Sequence, residues 1–308
     1  MRRYLARRLI TSVGVLLGIS VLVFSISRLV PGDIVDVMLG TRNVTAEAKA
    51  ALRAQLGLDA PIPVQYLVFL GNAVRGEFGV SLTNKMPVAR AIGEQLPNTV
   101  VLAAAALAVA LGIGFPLGIF AALRPGSWAD TLAMAVSVTG LSIPTFWLGL
   151  MLILFFSVQL GWLPSIHKGS DPLSLIMPAL TLGLPEAAVI ARMVRASLLD
   201  VLSQEYIVAA RAKGAGRARV IFKHALRNAL IPVVTFLGLQ MAYLLGGSAI
   251  VETIFARPGI GRLAVSAISS RDYPLLQGVV LVTASIYVVV NTLTDLTYML
   301  LNPKIRLT

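Results

Sequence analysis

The chain has 308 residues, of which 57% are hydrophobic and 13% charged, and its formal net charge is +12. Ordinary soluble domains carry about a quarter charged residues, so this composition excludes a typical soluble domain and predicts an integral membrane protein. The positive charge does not indicate nucleic-acid binding, because the sequence has neither interleaved aromatics nor a folded basic module. With no cysteine in the chain, disulfide and thiolate chemistry are excluded as well.

Six apolar stretches are each long enough to cross a bilayer as an α-helix, which takes about 20 residues. They cover residues 9–28, 98–123, 131–158, 174–194, 231–251 and 276–301. The sequence therefore predicts an all-α integral membrane protein with six transmembrane helices. The first stretch is longer than the apolar region of a signal peptide and lacks a small-residue cleavage site, so we expect a retained helix.

Basic residues are distributed unevenly among the connections, and Lys and Arg near short loops favour the cytoplasmic side. The N-terminal tail has four arginines and no acid, and residues 192–227 have eight basic residues and two acids, whereas residues 159–173 have one lysine and one aspartate. We therefore expect residues 1–30 to form a cytoplasmic tail with the first transmembrane helix. Residues 302–308 then form a second cytoplasmic tail, and both termini lie on the cytoplasmic side of a bacterial inner membrane.

The connection of residues 31–97 is predicted to be an extracytoplasmic helical loop. Its sequence indicates a short helix that ends at Gly57 and a second, amphipathic helix after Pro63. A small helical cap and a surface loop lying on lipid headgroups both fit this segment. Residues 98–301 are predicted to form a transmembrane core of five helices that contains a cytoplasmic segment, residues 201–230.

Polar side chains inside the predicted spans are costly in lipid and are candidates for lining a solute pathway. Glu186 directly follows Pro185 in the fourth span, where a helix-packing role is equally open. Asp295 lies near the cytoplasmic end of the sixth span, where pairing with a cytoplasmic Arg or Lys is favoured over solute contact. The predicted pathway candidates are Asn98, Glu186, Gln240, Asn291 and Asp295.

The cytoplasmic segment is predicted to be a helical hairpin. Ser203 is the expected N-cap of a short helix, residues 205–213, and Gly214 is expected to end that helix in a left-handed conformation. A second helix is expected over residues 217–229, with a basic stripe formed by Arg219, Lys223 and Arg227. A segment lying on anionic lipid would explain the arginines but not the small residues at the tip. We therefore predict a docking element for a cytoplasmic partner.

The tip sequence AARAKG, residues 209–214, resembles the core of the EAA motif of ATP-binding-cassette (ABC) transporter permeases. In that family the loop forms the coupling helix, which sits in a groove of the ATP-binding subunit. Val208 occupies the position of the motif glutamate, His224 that of the isoleucine and Arg227 that of the proline; Glu205 is out of register. The residues predicted to couple to an ATPase are Glu205, Ala209, Ala210, Arg211, Lys213, Gly214, His224 and Arg227.

These departures resemble the dipeptide, oligopeptide and nickel permease branch (DppB/OppB-like), in which AARAKG followed by HALRNALIP is usual. The segments LVPGD, LSIPTFWLGL, VETIFARPGIGRL and RDYPLLQG resemble the same branch in the same order. The resemblance implies a type I ABC importer permease (MetI-like) fold with six spans. It also implies a complex with a second homologous permease, two ATP-binding subunits and an extracytoplasmic substrate-binding protein.

The resemblance implies a permease for di- or oligopeptides, with a nickel, glutathione or haem importer of the same family as the alternative. The chain has no Gly-Lys dipeptide and hence no phosphate-binding loop, so ATP and Mg are expected in the partner ATPases and no cofactor or metal in this chain. A gradient-driven secondary transporter is disfavoured because no internal repeat is evident, and a non-transporting receptor or anchor is the third alternative. The two histidines are predicted on opposite membrane faces, which argues against an enzyme, and His167 is expected to be a plain surface residue.

Overall fold

The computed structural model describes residues 2–29, 45–55, 58–169 and 171–301. Apart from an isolated antiparallel bridge between Val80 and Pro87, the regular structure of these residues is helical. In chain order the helices are α1 (Arg2–Leu29), α2 (Ala46–Gln55), α3 (Ile62–Val74), α4 (Val88–Leu123), α5 (Trp128–Ser142), α6 (Thr145–Leu152), a π-helical segment (Ile153–Gln159), α7 (Leu173–Leu202), α8 (Glu205–Ala212), α9 (Arg217–Arg219), a second π-helical segment (Val220–Ala225), α10 (Leu226–Gly247), α11 (Ala249–Ile254), α12 (Ile260–Ser269) and α13 (Tyr273–Leu301). The predicted tail of residues 302–308, most of the segment before α2, and Gly57 lie outside the described residues.

The predicted all-α membrane fold is confirmed. Five of the described helical stretches are long and apolar enough to cross a bilayer, and a bent pair of helices, α5 and α6 with its π-helical continuation, makes a sixth if it counts as one span. The pair is bent by 102° between Ser142 and Thr145. Ile143 takes an extended conformation (φ −81°, ψ 122°), as the residue before a proline prefers, and Pro144 provides no backbone N–H. The third predicted span is therefore broken rather than straight.

Helix α4 begins at Val88, inside the segment that the sequence assigned to the extracytoplasmic loop. Its first turns carry exposed charges, including an i,i+4 ion pair in which Arg90 Nε lies 2.8 Å from Glu94 Oε1. Such residues form a helix readily but are not apolar, so hydropathy alone detects only the later part of α4. The helix therefore begins at Val88, whereas the apolar stretch within it begins only at about residue 98.

The chain forms two compact units. The first comprises Met1–Pro97 and Arg262–Val288, and the second comprises Asn98–Gly261 and Val289–Thr308. In the first unit α1 packs against α3, where the Phe24 ring lies 5.5 Å from the Tyr66 ring in an edge-on contact. Ser20 of α1 also shares a 2.8 Å hydrogen bond with the Tyr66 hydroxyl, which fixes the register of the two helices.

A buried carboxylate organises the other part of the first unit. Asp272 is fully buried and caps α13, because its Oδ1 accepts a hydrogen bond from the Leu275 N–H at 3.2 Å. Its Oδ2 accepts hydrogen bonds from the Ser81 hydroxyl and the Thr83 N–H. Burial alone would raise the pKa of Asp272, but the hydrogen bonds from Ser81 and from three backbone N–H groups outweigh it and hold the pKa below its ordinary value. Asp272 is therefore a charged cap at neutral pH.

The second unit is built around α7. Gly114 and Gly118 of α4 lie directly against α7, since a Cβ at either glycine would be 2.5 Å from a carbonyl oxygen of Ala187 or Ala191. Gly183 of α7 makes the reciprocal close approach to α4. Small residues at these positions let two helices pack closely in lipid, where van der Waals contact is the main attraction.

Candidate functional site

The predicted coupling segment, residues 201–230, contains the end of α7 and then helix α8. Its N-cap is Gln204, in an extended conformation, and not Ser203 as the sequence predicted. Ser203 instead ends α7 in a helical conformation, and its hydroxyl donates a 2.8 Å hydrogen bond to the Asp200 carbonyl. Because the backbone of Ser203 is still helical, whereas an N-cap residue takes an extended conformation, Ser203 belongs to the end of α7 and does not cap α8.

The end of α8 has the conformation expected from the sequence. Gly214 has a φ of +80°, in the left-handed region that favours glycine. The N–H of Ala215 donates to the carbonyl of Ala210 at 3.2 Å, and the N–H of Gly214 donates to that of Arg211 at 2.9 Å. This pattern satisfies the last carbonyls of the helix and turns the chain sharply after it.

The second arm of the hairpin starts at Arg217 as predicted but does not end near Ala229. It passes through the π-helical segment Val220–Ala225 and continues as α10 to Gly247, so that the arm is the first part of a membrane-spanning helix. The helix continues past Ala229 and includes Pro232, which lies inside α10. All three members of the predicted basic stripe are exposed.

One apolar anchor fixes α8 against the membrane helices. Ile207 is 0% exposed and belongs to a buried cluster with Ala122, Leu198, Val220, Ala225 and Ala229. The Asn228 amide donates a 2.8 Å hydrogen bond to the Tyr206 hydroxyl, which ties the two arms together. The side chains that face outward include Val208, which is 59% exposed where the EAA motif has glutamate.

Most of the predicted coupling residues are exposed on this hairpin. Glu205, Ala209, Arg211, Lys213, Gly214 and Arg227 are exposed, and Ala210 and His224 are half-buried. The backbone thus presents small residues at its tip with basic side chains around them. Such a surface allows close approach of another protein, and its charges can orient the contact.

A buried ion pair supports the neighbouring loop. Arg195 of α7 donates two hydrogen bonds to the Asp130 carboxylate, at 2.6 and 2.7 Å. Asp130 is buried at the start of α5, and it also accepts a hydrogen bond from the Gly126 N–H at 3.0 Å. The paired geometry holds the turn between α4 and α5 against α7.

The structure brings together two of the five predicted pathway candidates. Glu186 is 8% exposed, and the side chain of Gln240 is its hydrogen-bond partner. The second carboxylate oxygen, Oε2, has no hydrogen-bond partner among the described residues. Asn98, Asn291 and Asp295 are half-buried. A buried carboxylate that keeps an unsatisfied oxygen inside a span is a functional candidate.

Sequence reasoning missed another buried carboxylate, Glu252 of α11, which is 0% exposed. Its Oε1 accepts hydrogen bonds from the Thr99 hydroxyl at 2.7 Å and from the Ser248 hydroxyl at 2.9 Å. Thr99 in turn accepts a hydrogen bond from the Ile260 N–H at 2.9 Å. A Cβ at Gly259 would overlap the carboxylate, so glycine is required there. The segment VETIFARPGIGRL contains both Glu252 and Gly259. The hydrogen bond that Glu252 accepts from Thr99, however, comes from a residue far away in sequence.

His167 was expected to be a plain surface residue, and this prediction is wrong. The residue is half-buried, with ring Nδ1 at 3.3 Å from both Ser174 Oγ and Arg257 Nη1, and its backbone N–H donates to the Phe255 carbonyl. Burial and the Arg257 charge hold the pKa of His167 below its ordinary value, so the ring is neutral at physiological pH. Burial also lowers the pKa of Arg257, against the opposing effect of Glu252.

Comparison with known proteins gives matches over the whole chain. Residues 114–307 match the family described as binding-protein-dependent transport system inner membrane component, and residues 1–103 match the corresponding N-terminal family. The glutathione transport system permease protein GsiC of Escherichia coli (strain K12) is 43% identical over 307 residues, covering 99% of both chains. The di/tripeptide transport system permease protein DppB of Pseudomonas aeruginosa (strain UCBPP-PA14) is 43% identical over 333 residues, again with 99% of both covered.

Solved structures show the same fold. The inward-facing MetNI methionine ABC transporter superposes with a TM-score of 0.58 at 23% identity, covering 68% of this chain and 96% of the other. An amino acid ABC transporter with histidines superposes with a TM-score of 0.53 at 19% identity, covering 70% and 94%. The predicted type I, MetI-like importer fold is thereby confirmed.

Proposed function

Because the chain belongs to the family of binding-protein-dependent transport system inner membrane components, and is an ABC importer permease, we propose that its substrates are di- or oligopeptides. The observation that carries the proposal is the 43% identity over 99% of the chain to a di/tripeptide permease. Glutathione, named for an equally similar relative, is itself a tripeptide. Import of glutathione is the second candidate for that reason, and import of nickel or haem is the remaining alternative.

We propose that the coupling segment binds a separate ATP-binding subunit through the tip formed by Ala209, Ala210 and Gly214. Its support is the exposed, small-residue tip held in place by buried Ile207. Exposed Val208 supplies an apolar contact at the same surface. Energy would then reach this chain through movement of α8, which is linked to α10 by the continuous second arm of the hairpin.

The proposed assembly contains this chain, a second homologous permease, two ATP-binding subunits that hold ATP and Mg, and an extracytoplasmic substrate-binding protein. We further propose that both termini and the coupling segment lie on the cytoplasmic side of a bacterial inner membrane. The excess of basic residues in residues 192–227 supports this orientation. The 31–97 segment then faces the substrate-binding protein.

Among the pathway candidates, Glu186 and Gln240 have the strongest support. Glu186 is buried within a span, and one of its carboxylate oxygens has no partner among the described residues. A passing peptide carries an α-ammonium group that would satisfy such an oxygen. We propose Asn98, Asn291 and Asp295 as further pathway contacts on the strength of their polarity within the apolar helices.

The test is uptake by proteoliposomes that contain the complete transporter with its binding protein. We expect a radiolabelled tripeptide to enter only when ATP is present with the ATPases, and to enter equally well when a protonophore has collapsed the proton gradient. Uptake that stops with the protonophore and continues without ATP would favour a secondary transporter instead. Parallel assays with nickel, haem and reduced glutathione separate the substrate alternatives.

A further inference from the structure

A cavity of about 500 Å³ lies at the base of the coupling segment. Its volume falls within the range of about 300–1,000 Å³ that is usual for small-molecule sites. The apolar part of its wall includes Leu199, Leu202, Val220 and Ile221. Two exposed cationic side chains, Arg211 and Arg217, complete the lining on the side of the hairpin. The cavity is therefore amphipathic, with apolar walls and two positive charges.

The positive charge at this cavity is uncompensated. None of the described residues that line it is acidic. Within the part of the chain that the structure describes, Arg211 and Arg217 have no carboxylate in ion-pairing distance. Arg217 donates one hydrogen bond, at 3.4 Å, to the Leu123 carbonyl, which holds its guanidinium beside the cavity. The remaining N–H groups of both side chains are available to an anion.

The cavity lies where several long apolar helices end or begin. Helix α4 ends at Leu123, α7 ends at Leu202, and the span Arg217–Gly246 starts at the hairpin. Apolar side chains from the last turns of α4 and α7 form its wall, and the arginines come from the hairpin beyond them. This arrangement of an apolar wall below a cationic rim corresponds to the boundary between acyl chains and headgroups.

We propose that this cavity binds an anionic phospholipid of the cytoplasmic leaflet. The phosphate would be bound by Arg217 and Arg211, and an acyl chain would lie on the apolar wall. Arginine suits this role because its planar guanidinium presents paired donors to phosphate oxygens. The assignment of the leaflet rests on the proposed function, which puts the coupling segment in the cytoplasm. The bound lipid would contact the hairpin on its membrane side and so favour the orientation of α8 in which the tip meets the ATPase.

Native mass spectrometry of the complete transporter, purified in mild detergent, tests the proposal. We expect phosphatidylglycerol to bind the permease at least tenfold more tightly than phosphatidylcholine of the same chain length, a comparison that needs no variant. Arg217→Gln should weaken phosphatidylglycerol binding about tenfold, or about 1.4 kcal/mol, because it removes a charge-assisted hydrogen bond to the phosphate. Arg217→Lys should retain part of the preference because it keeps the charge.

Lys223→Gln is the matched control, because Lys223 is exposed on the same arm but does not line the cavity. An equal loss in Lys223→Gln and Arg217→Gln would mean general attraction to the surface and would overturn the proposal. Displacement of the lipid by inorganic phosphate at equal concentration would also overturn it, because the site would then hold only a free anion. So would lipid binding that occurs only after the ATPases are removed, because the ATPase would then be the occupant.

The same preparations distinguish this proposal from the proposed function. ATP-dependent peptide uptake together with equal binding of the two lipids would reject the lipid site alone. Uptake that does not depend on ATP would reject the proposed function, whatever lipid binds. Co-purification of the ATPases with Arg217→Gln shows that the variant is folded and that its loss of lipid is specific.

Discussion

Replacing Gly214 with valine is expected to abolish ATP-dependent uptake while the chain still inserts into the membrane. Gly214 has a φ of +80°, and a left-handed conformation costs a non-glycine residue about 1–2 kcal/mol, with β-branched residues at the upper end. No atom lies within 4 Å of a Cβ built at this position, so the side chain would meet empty space rather than a clash. The expected defect is therefore a displaced tip and a blocked approach of the ATPase, measured as lost uptake at normal membrane content.

Gly216 provides the matched control for this variant. It also has open space around a Cβ, but its φ is −63°, which any residue can adopt. Gly216→Ala should therefore retain uptake near the wild-type level. Gly214→Asn separates conformation from size, because asparagine tolerates the left-handed region better than other residues do. Normal uptake by Gly214→Val would contradict the assignment of residues 209–214 as the docking tip.

Replacing Glu252 with alanine is expected to cause the largest loss of stability of any single change considered. The carboxylate is fully buried and accepts hydrogen bonds from Thr99 and Ser248. Its removal leaves two buried hydroxyls without their acceptor and takes away the carboxylate whose charge acts on the buried Arg257. Breaking a buried charged network in this way typically costs about 3–5 kcal/mol. The measurement is the apparent melting temperature of the purified chain in detergent, together with its yield in the membrane.

Two further variants give stability losses with which that of Glu252→Ala can be compared. Thr99→Val removes one donor of the network and should cause a smaller decrease of about 1–3 kcal/mol. Glu94→Ala removes an exposed carboxylate that pairs with Arg90, and exposed ion pairs contribute about 0–1 kcal/mol, so its melting temperature should be nearly unchanged. If Glu252→Ala melts no earlier than Glu94→Ala, the network around Glu252 does not stabilise this part of the fold.

The membrane fold and the tip of the coupling segment were predictable from the sequence because both are local signals. Apolar runs report the contact of a helix with lipid, and the six runs agree with the five long helices and the bent pair. The conformation of Gly214 follows from its position after a short helix without β-branched residues at its end. Neither signal needs knowledge of distant parts of the chain.

The features that sequence reasoning missed depend on contacts between distant residues or on competition between neighbours. Ser203 is a residue type that favours N-caps, but its backbone keeps the helical conformation that ends α7. Glu252 accepts a hydrogen bond from Thr99, and the half-buried His167 lies against Arg257, and in each case the partner is far away in sequence. Such partners cannot be paired from one sequence, because spacing along the chain carries no information about them.

Site-directed cross-linking tests the central claim, that an external ATPase drives this permease through its cytoplasmic hairpin. The chain has no cysteine, so Ala209→Cys introduces a single thiol at the exposed tip. Val74→Cys is the control, since Val74 is 82% exposed at the end of α3, in the segment proposed to face outward. With a maleimide that carries a photoreactive benzophenone, used in intact membranes, Ala209→Cys should cross-link to the ATP-binding subunit on irradiation and Val74→Cys should not. Cross-linking of the ATPase to Val74→Cys but not to Ala209→Cys would contradict both the docking tip and the proposed orientation.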